Sequence, residues 1–294
     1  MKSFSAKIIL FGEYSILNGS KALAIPFPAF SGRLLLTQGK KNESSLASAK
    51  IIKDVFTYLK NQHFDANPNF ENLQHQIAQG LFFESNIPEG YGLGSSGALV
   101  AAIYATFFRG WDELSTKQMK TDLARMESFF HGTSSGIDPL VSFLNAPVLV
   151  KQETVEILQL ASNTDFELVL IDTGQKATTQ GLVQYYKNLV NNKSQSGNLE
   201  LLNQITNQCI AGYIHNKLNF DDIKRLSELQ QQLLKPMFVL NKPLLEAMNR
   251  FKDDASLKLC GSGGGGFVSA WIRNTKIREF MNYLDANKLT YYQV

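Results

Sequence analysis

Alternating and periodic apolar positions divide the first half of the chain into strand-like and helix-like segments. Lys7 to Phe11 is a short apolar run of strand length, and a second apolar stretch runs from Lys21 to Phe27. Ser45 to Lys60 instead has apolar residues four positions apart, a spacing that predicts an amphipathic helix. The apolar positions of this predicted helix are Ala47, Ile51, Val55 and Leu59.

Two further helices are predicted before the midpoint of the chain. Ala98 to Phe108 is almost wholly apolar and has the length of a helix. The next helix is expected to begin at Ser115, because Gln118 follows three residues later in a capping-box pattern. It is expected to end at His131-Gly132. Its apolar stripe consists of Met119, Leu123, Met126 and Phe130.

The second half is predicted to be mainly helical between two groups of strands. The first strand-like runs are Pro147 to Val150 and Phe166 to Ile171. The predicted helices are Gln180 to Val190, Leu199 to His215, Asp221 to Leu234 and Pro243 to Phe251. The later strands are Leu257 to Cys260, Phe267 to Ile272 and Leu289 to Val294. A chain of 294 residues is too long for one ordinary core and fits two domains of about 150 residues. We therefore expect domains at 1–160 and 161–294.

Composition and charge narrow the functional class. With 44% hydrophobic and 19% charged residues and no low-complexity tract, the chain has the make-up of a soluble globular enzyme. The formal net charge is +3 and the basic residues are scattered, whereas a nucleic-acid binder concentrates Lys and Arg on one face. We therefore expect no nucleic-acid partner, while a mild positive balance is compatible with anionic substrates.

The start of the chain and its two cysteines indicate a cytoplasmic protein with no membrane partner. The first seven residues lead into a run of only four apolar residues, Ile8 to Phe11, before Gly12-Glu13. A signal peptide needs roughly 7–15 such residues and a membrane span roughly 20. Cys209 and Cys260 have apolar surroundings and no metal-ligand spacing, so buried thiols in a reducing compartment are expected.

The segment Gly92-Leu93-Gly94-Ser95-Ser96-Gly97 is a glycine-rich loop with the spelling GxGxxG. A dinucleotide-binding loop follows a strand and opens a βαβ unit. Here the loop follows a turn, and its helix is followed by another helix. Glycines allow close approach of the backbone to a phosphate, and a helix start directs free N–H groups at an anion. Two interpretations stay open: a phosphate loop in which one serine reaches a metal or phosphate oxygen, and a tight turn that caps a buried helix.

Two acidic residues, eleven positions apart, are candidate functional groups. Glu127 lies on the apolar face of its predicted helix, where a carboxylate must pair, bind a cation or sit at the rim. Asp138 follows Gly136-Ile137 in a predicted polar turn, where a loop can present a carboxylate to a cleft. A rim glutamate and an Asx turn before Pro139 are the structural alternatives.

Gly263 to Gly266 form a second glycine run. It lies between two apolar segments, Leu257 to Cys260 and Phe267 to Ile272, whereas a flexible linker lacks such flanks. A glycine run between two strands indicates close approach of its backbone to another loop or to a ligand.

Three segments together resemble the signature motifs of the GHMP kinases, in the order that this family has them. The first motif is Lys7-Ile8-Ile9-Leu10-Phe11-Gly12-Glu13-Tyr14, the second is the loop at residues 92–97, and the third is Lys258-Leu259-Cys260-Gly261-Ser262-Gly263-Gly264-Gly265-Gly266. Glu127 with the segment from His131 to Asp138 resembles the metal-and-base segment of the mevalonate-kinase branch. Asp172-Thr173-Gly174 with Thr179, and Asn241 to Leu245, are also similar to that branch. The likeness spans nearly the whole chain, in a compact version of the family.

The resemblance implies an α+β fold and a reaction. A ribosomal-S5-like N-terminal domain and a ferredoxin-like C-terminal domain would hold ATP and mevalonate between them, for phosphoryl transfer to the 5-hydroxyl. The loop at residues 92–97 would bind the phosphates, and Ser96 and Glu127 would hold Mg²⁺. Asp138 would face the substrate hydroxyl, with Lys7 beside it. The residues implied to support the substrate or the loops are Glu13, His131, Thr179, Gly263 and Gly264.

The chain departs from the mevalonate-kinase pattern at three positions. Tyr14 stands where most of these enzymes have His, Ser134 replaces the usual Pro, and Pro139 replaces the usual Asn. Phosphomevalonate or a sugar is therefore the alternative substrate, and a protein of this fold that binds ligand without catalysis is a further alternative. A homodimer is possible, and the segment from Arg33 to Lys53 is a candidate neighbourhood for the adenine.

Overall fold

The computed structural model describes residues 2–37, 42–152, 154–160, 165–177 and 181–294. Its strands are β1 (Phe4–Phe11), β2 (Lys21–Leu36), β3 (Asn67–Pro68), β4 (Leu81–Ser85), β5 (Phe108–Arg109), β6 (Val148–Lys151), β7 (Thr154–Ile157), β8 (Phe166–Asp172), β9 (Ala255–Leu259), β10 (Phe267–Arg273) and β11 (Tyr291–Gln293).

The helices alternate with these strands in the first half and dominate the second. They are α1 (Glu43–Leu59), α2 (Phe70–Ala78), α3 (Ser95–Phe107), α4 (Thr116–His131), α5 (Ile137–Leu144), α6 (Leu182–Asn191), α7 (Ser196–Ile214), α8 (Phe220–Leu233), α9 (Lys242–Arg250) and α10 (Ile277–Ala286). Short 3₁₀ turns lie at Ser15–Asn18, Trp111–Glu113, Lys193–Gln195 and Lys235–Met237. None of the helices in the described ranges is both long and apolar enough to cross a bilayer.

The larger of two main sheets is built around the long strand β2. Its order is β1-β2-β6-β7, with β4 also paired to β2, and these pairings are antiparallel. The first part of β2 pairs with β1 and β6, and its last part, from Gly32 to Leu36, pairs with β4. In the register between β1 and β2, Lys7 lies opposite Pro26. This register fixes where the first motif leaves the sheet.

The smaller sheet has the order β11-β8-β10-β9 and is also antiparallel. Residues 260–266, which include the second glycine run, join β9 to β10 as the loop of a hairpin, with Leu259 opposite Val268. Helices α9 and α10 cover one face of this sheet, and Leu244 and Phe280 lie in that core. The predicted domain boundary near residue 160 falls between the strands of the two sheets and stays a prediction.

Helix α3 lies at the centre of the N-terminal layers. It packs against β1, β2, α4 and α5, and Ala98, Val100, Ala101 and Ile103 are all fully buried. A helix that is surrounded on every side needs no polar face, which explains why its sequence is almost wholly apolar.

The two halves of the chain are joined by α7 and by an aromatic stack. Helix α7 packs on β2 and on the 3₁₀ turn at Ser15–Asn18. Asn207 Oδ1 accepts a hydrogen bond from the backbone N–H of Lys21 at 2.9 Å. Phe11 at the end of β1 stacks on Trp271 of β10, with 5.3 Å between ring centroids. The first motif is therefore held by contacts from both halves.

Both cysteines are buried free thiols, as predicted. Burial raises the pKa of the Cys209 thiol to about 12 and that of the Cys260 thiol to about 11. Because the thiolate is the reactive form, these side chains act as small apolar groups of the core.

The structure differs from the sequence prediction in several short elements and in one helix face. The apolar pattern does not reveal α2, β4 or β7, because these segments are short and bury at most one residue each. Helix α1 is present, but only two of the four residues in its predicted apolar stripe are buried. Val55 and Leu59 are buried, whereas Ala47 and Ile51 are exposed. The first turns of α1 border a cavity instead of the core.

Replacing Gly97 by alanine is expected to destabilise the fold, because α3 and the start of α5 meet without room for a side chain. A Cβ at Gly97 would lie 2.9 Å from the Asp138 carbonyl carbon and from the Pro139 nitrogen. We expect a loss of about 1–3 kcal/mol in the free energy of unfolding, measured by urea denaturation.

Gly197→Ala is the matched control for this substitution. Gly197 is also helical, and a Cβ there would meet nothing within 4 Å. It should be neutral or stabilising by up to about 1 kcal/mol. Equal effects of the two substitutions would contradict the packing argument.

Candidate active site

The loop at residues 92–97 leads directly into α3. Gly92 and Gly94 adopt the left-handed conformation, with φ of 73° at each. Ser95 begins the helix. Its first N–H groups have no partner within the helix, and together with the helix dipole they favour an anion. A dinucleotide fold is excluded for the described strands, because a βαβ unit needs parallel pairing and these pairs are antiparallel.

Two glycines of this loop make room for the side chains of other motifs. A Cβ at Gly94 would lie 3.2 Å from Lys7 Cε and 3.3 Å from Asp138 Oδ2. Gly97 lies against the backbone of Asp138 and Pro139, as described above. The glycines of the loop therefore allow close contact with other protein segments, in addition to any contact with a phosphate.

The hairpin loop that contains the second glycine run packs against the first loop and against Tyr91, which precedes it. A Cβ at Gly92 would lie 3.6 Å from Gly261 Cα, and one at Gly266 would lie 2.9 Å from Tyr91 Cα. Close approach of this run to other protein segments, one of the two interpretations that the sequence left open, is present in the structure. Ala177 also donates its backbone N–H to the Gly90 carbonyl at 2.8 Å. Three backbone segments thus meet at the phosphate loop.

Gly263 and Gly264, the first two glycines of this run, lie against the 3₁₀ turn that ends at Met237. Gly264 donates its N–H to the Met237 carbonyl at 2.7 Å, and a Cβ at Gly263 would lie 2.5 Å from that carbonyl oxygen. Both glycines therefore contact protein and do not line an open cleft. Thr179, the other predicted support residue, lies outside the described residues.

Lys7 and Asp138 form an ion pair beside the loop. Lys7 Nζ lies 3.0 Å from Asp138 Oδ2 and 3.2 Å from the Gly92 carbonyl oxygen, which accepts a hydrogen bond from it. The side chain of Lys7 is only 4% exposed, whereas that of Asp138 is 29% exposed. The carboxylate is therefore the open end of the pair.

Asp138 is not in the polar turn that the sequence predicts. It is the second residue of α5, which begins at Ile137. Gly136 caps this helix with a φ of 71° and packs closely on α4. The turn prediction is wrong because Pro139 sits in the first turn of the helix, where proline is well tolerated. A helix start holds the carboxylate more rigidly than a loop would.

Glu127 and Ser96 form a second polar centre at the start of α3. Glu127 is 4% exposed, on the buried face of α4 as predicted. Ser96 Oγ lies 3.2 Å from Glu127 Oε1 and 3.2 Å from His131 Nε2. Ser134 Oγ donates a close hydrogen bond to Glu127 Oε2. Burial, with a smaller contribution from the nearby Asp138 carboxylate, raises the pKa of Glu127 to about 7.

This second centre has the donor atoms that Mg²⁺ prefers. A carboxylate and a hydroxyl 3.2 Å apart supply two oxygens at the positive end of a helix. Among the described residues, no group of three His, Cys, Asp or Glu side chains is arranged to hold a metal by itself. Ser96 and Glu127 therefore fit a Mg²⁺ that takes its remaining ligands from phosphate and water.

A cavity of about 460 Å³ opens between α1 and the phosphate loop. Its apolar wall includes Ala47 and Ile51 of α1 and Leu99 of α3, and its polar end includes Ser96 and His131. The sequence prediction missed this wall. The sequence does show the two apolar residues of this wall on α1, Ala47 and Ile51. Their four-residue spacing assigned them to the core instead of to a cavity.

Glu13 lies in a buried ion pair that joins the first motif to the third. Lys258 Nζ contacts Glu13 Oε1 closely, and the two side chains are 0% and 1% exposed. Gln230 donates to Glu13 Oε2 at 3.4 Å and accepts from the Leu259 N–H at 3.1 Å. Tyr14 adds a second link, because its hydroxyl donates to the Ser262 carbonyl at 2.7 Å. Glu13 and Tyr14 are thus turned into the protein and away from the cleft.

The fold and site together define a class of protein. The family model described as GHMP kinases N terminal domain matches residues 50–145, which include the phosphate loop, Glu127 and Asp138. Over these residues the chain is similar to the GHMP kinases, and the predicted α+β fold of that family is confirmed.

Several relatives within this class share a name. Mevalonate kinase of Pyrococcus furiosus is 27% identical over 305 residues, covering 94% of this chain and 90% of that protein. The crystal structure of mevalonate kinase from Methanococcus jannaschii is similar with a TM-score of 0.67 and 17% identity, covering 99% of this chain and 96% of that one. Galactokinase of Lactococcus lactis also shares the fold, with a TM-score of 0.63, 13% identity, and 99% and 92% coverage. The fold alone therefore does not select the substrate.

Removing the charge of Lys258 is expected to be strongly destabilising. In Lys258→Met, Glu13 remains buried without its partner, and the expected loss is about 3–5 kcal/mol in the free energy of unfolding. The double variant Glu13→Leu with Lys258→Met should recover most of this loss, because it removes both charges. Arg33→Ala, which breaks an exposed pair with Glu84, is the control and should cost less than about 1 kcal/mol. A double variant no more stable than Lys258→Met would contradict the argument.

Ionisation of Glu127 is expected to make the metal-free protein less stable as the pH rises. The folded protein holds this proton up to a pH of about 7, whereas the unfolded chain releases it near 4.5. Between these values the folded state binds more protons, so its stability falls with increasing pH. Glu127→Gln should remove this slope, worth on the order of 3 kcal/mol across the window. Urea denaturation in EDTA at pH 5, 6, 7 and 8 measures it, and parallel curves for the two proteins would refute it.

Proposed function

We propose that the protein is an ATP-dependent kinase that phosphorylates the 5-hydroxyl of mevalonate. The observation that carries this proposal is the Lys7–Asp138 pair at 3.0 Å, set directly against a glycine loop at a helix start. The choice of mevalonate is supported by the archaeal relatives named mevalonate kinase, which are 24–27% identical over more than nine-tenths of this chain.

In this proposal the nucleotide occupies the cavity beside α1. The apolar wall formed by Ala47, Ile51 and Leu99 suits a flat base, and the polar end leads to Ser95 and Ser96 of the phosphate loop. The triphosphate would then lie along residues 92–97, where the first N–H groups of α3 are free to donate to it. Four residues of the cavity lining belong to the segment from Arg33 to Lys53, the candidate neighbourhood for the adenine: Ser44, Ala47, Ser48 and Ile51.

Asp138 and Lys7 would act on the substrate hydroxyl. Phosphoryl transfer depends mainly on alignment of the two oxygens and on neutralisation of phosphate charge. The exposed carboxylate of Asp138 can orient the hydroxyl and accept its proton. The ammonium of Lys7, held by the Gly92 carbonyl, can stabilise charge on the transferring group.

Ser96 and Glu127 would hold Mg²⁺ together with the phosphates. When bound, the ion supplies charge neutralisation for the transferring phosphoryl group. The protein's own contribution is to bury Glu127 and to place Ser96 at the first turn of α3, so that both oxygens face one point. We further propose that residues 1–160 and 161–294 form the two domains that flank this cleft. Cytoplasmic location and a possible homodimer stay predictions.

A steady-state assay tests the proposal. Purified protein with Mg-ATP should release ADP when mevalonate is added, and more slowly with phosphomevalonate or galactose. Asp138→Asn should fold normally and lose at least about a hundredfold in kcat, the scale of a general base. Asp112→Asn, an exposed carboxylate on a distant turn, is the matched control and should keep full activity. Faster turnover of phosphomevalonate would refute the substrate, and an active Asp138→Asn would remove Asp138 from the mechanism.

A further inference from the structure

We propose that Ser134 is a positioning residue for Glu127, whose carboxylate it turns toward Ser96. The inference rests on the proposed function, because it concerns the two residues proposed to hold Mg²⁺. Ser134 lies in the segment between α4 and α5, seven residues after Glu127. It is half-buried and has no part in the core of either helix.

The hydrogen bonds of Ser134 fix the direction of its proton. Gly136 donates its backbone N–H to Ser134 Oγ at 2.9 Å. Because the oxygen already accepts this bond, its own proton is available for Glu127 Oε2, to which it donates. The result is a directed chain from the Gly136 amide through the Ser134 hydroxyl to the carboxylate.

The two carboxylate oxygens of Glu127 therefore have different partners. Oε2 is held by Ser134, and Oε1 lies 3.2 Å from Ser96 Oγ. The terminal torsion of a glutamate is soft, so burial of the side chain alone does not fix the plane of its carboxylate. The Ser134 donor on Oε2 keeps that plane fixed when the hydrogen bond from Ser96 Oγ to Oε1 gives way to the proposed metal. Groups of this kind around a metal ligand are commonly worth about 10–100-fold in metal affinity.

The same serine also ties the proposed metal centre to the helix that carries Asp138. Gly136, its donor, is the capping residue of α5 and packs tightly on Ala124 of α4. Asp138 follows two residues later. A hydroxyl at position 134 therefore sets Glu127 relative to a rigid point at the start of α5.

Metal binding provides a test that does not depend on turnover. Mn²⁺ is titrated into the protein saturated with ADP, and bound Mn²⁺ is followed by electron paramagnetic resonance. Ser134→Ala should weaken Mn²⁺ binding about tenfold or more. Ser134→Thr keeps the hydroxyl and should stay within about twofold of the wild type, a rescue expected from the retained donor.

Ser128→Ala is the matched control. Ser128 lies next to Glu127 on α4, and its hydroxyl donates to the Ala124 carbonyl at 2.8 Å, away from the carboxylate. It should leave Mn²⁺ binding unchanged. If Ser134→Ala does not fold, as judged by circular dichroism, Ser134→Cys takes its place, because a thiol of similar size is only a weak donor.

The outcomes separate this inference from the proposed function. Wild-type Mn²⁺ affinity in Ser134→Ala, with or without a change in its melting temperature, would overturn the positioning role. A protein that does not bind Mn²⁺ with ADP at all would overturn it too. A protein that binds Mn²⁺ with ADP and loses it in Ser134→Ala, yet turns over no mevalonate, would support the inference and refute the proposed substrate.

Discussion

Close packing around three glycines of the phosphate loop brings the separated motifs of this chain to one place. Gly97 lies against the start of α5, Gly94 against Lys7, and Gly92 against Gly261. Each contact links the phosphate loop to a different segment of the chain. The position of the Lys7–Asp138 pair, the direction of α3 and the hairpin loop behind it all depend on this constraint. A loop of this kind is shaped by its neighbours at least as much as by its own sequence.

The two buried lysines belong to ion pairs that differ in the exposure of the carboxylate, and this difference separates a structural pair from one that a ligand can reach. Lys258 and Glu13 are both sealed inside the protein, so their pairing cannot be exchanged for a ligand. Lys7 is nearly as buried, but the side chain of its partner Asp138 is partly exposed. The carboxylate can therefore meet a hydroxyl while its ammonium partner stays fixed. The closed pair positions the motifs, and the open pair is available for the reaction.

The local sequence pattern predicted much of the fold and of the candidate site, and the predictions that were wrong or missing have physical causes. The buried helix α3, the burial of Glu127 and the close approach of the second glycine run follow from residue types and spacing. The start of α5 was not foreseen, because a glycine and a proline around Asp138 suit a turn as well as a helix start. The face of α1 was misjudged, since a cavity wall and a core face have the same apolar composition. The Glu13–Lys258 pair has no local signal, because its partners lie 245 positions apart.

The order in which the chain is synthesised gives the hairpin loop between β9 and β10 a particular consequence. Phe11, Glu13 and Tyr14 emerge early, yet their partners on β9, β10 and the loop between them come from the last fifth of the chain. Such long-range contacts form slowly and late, because the intervening loop must close before they form. A nascent chain on the ribosome thus carries the phosphate loop and Asp138 before the loop between β9 and β10 that packs against Gly92 has been synthesised. The contacts that join the first motif to β9, β10 and the loop between them are therefore among the last that the chain can form.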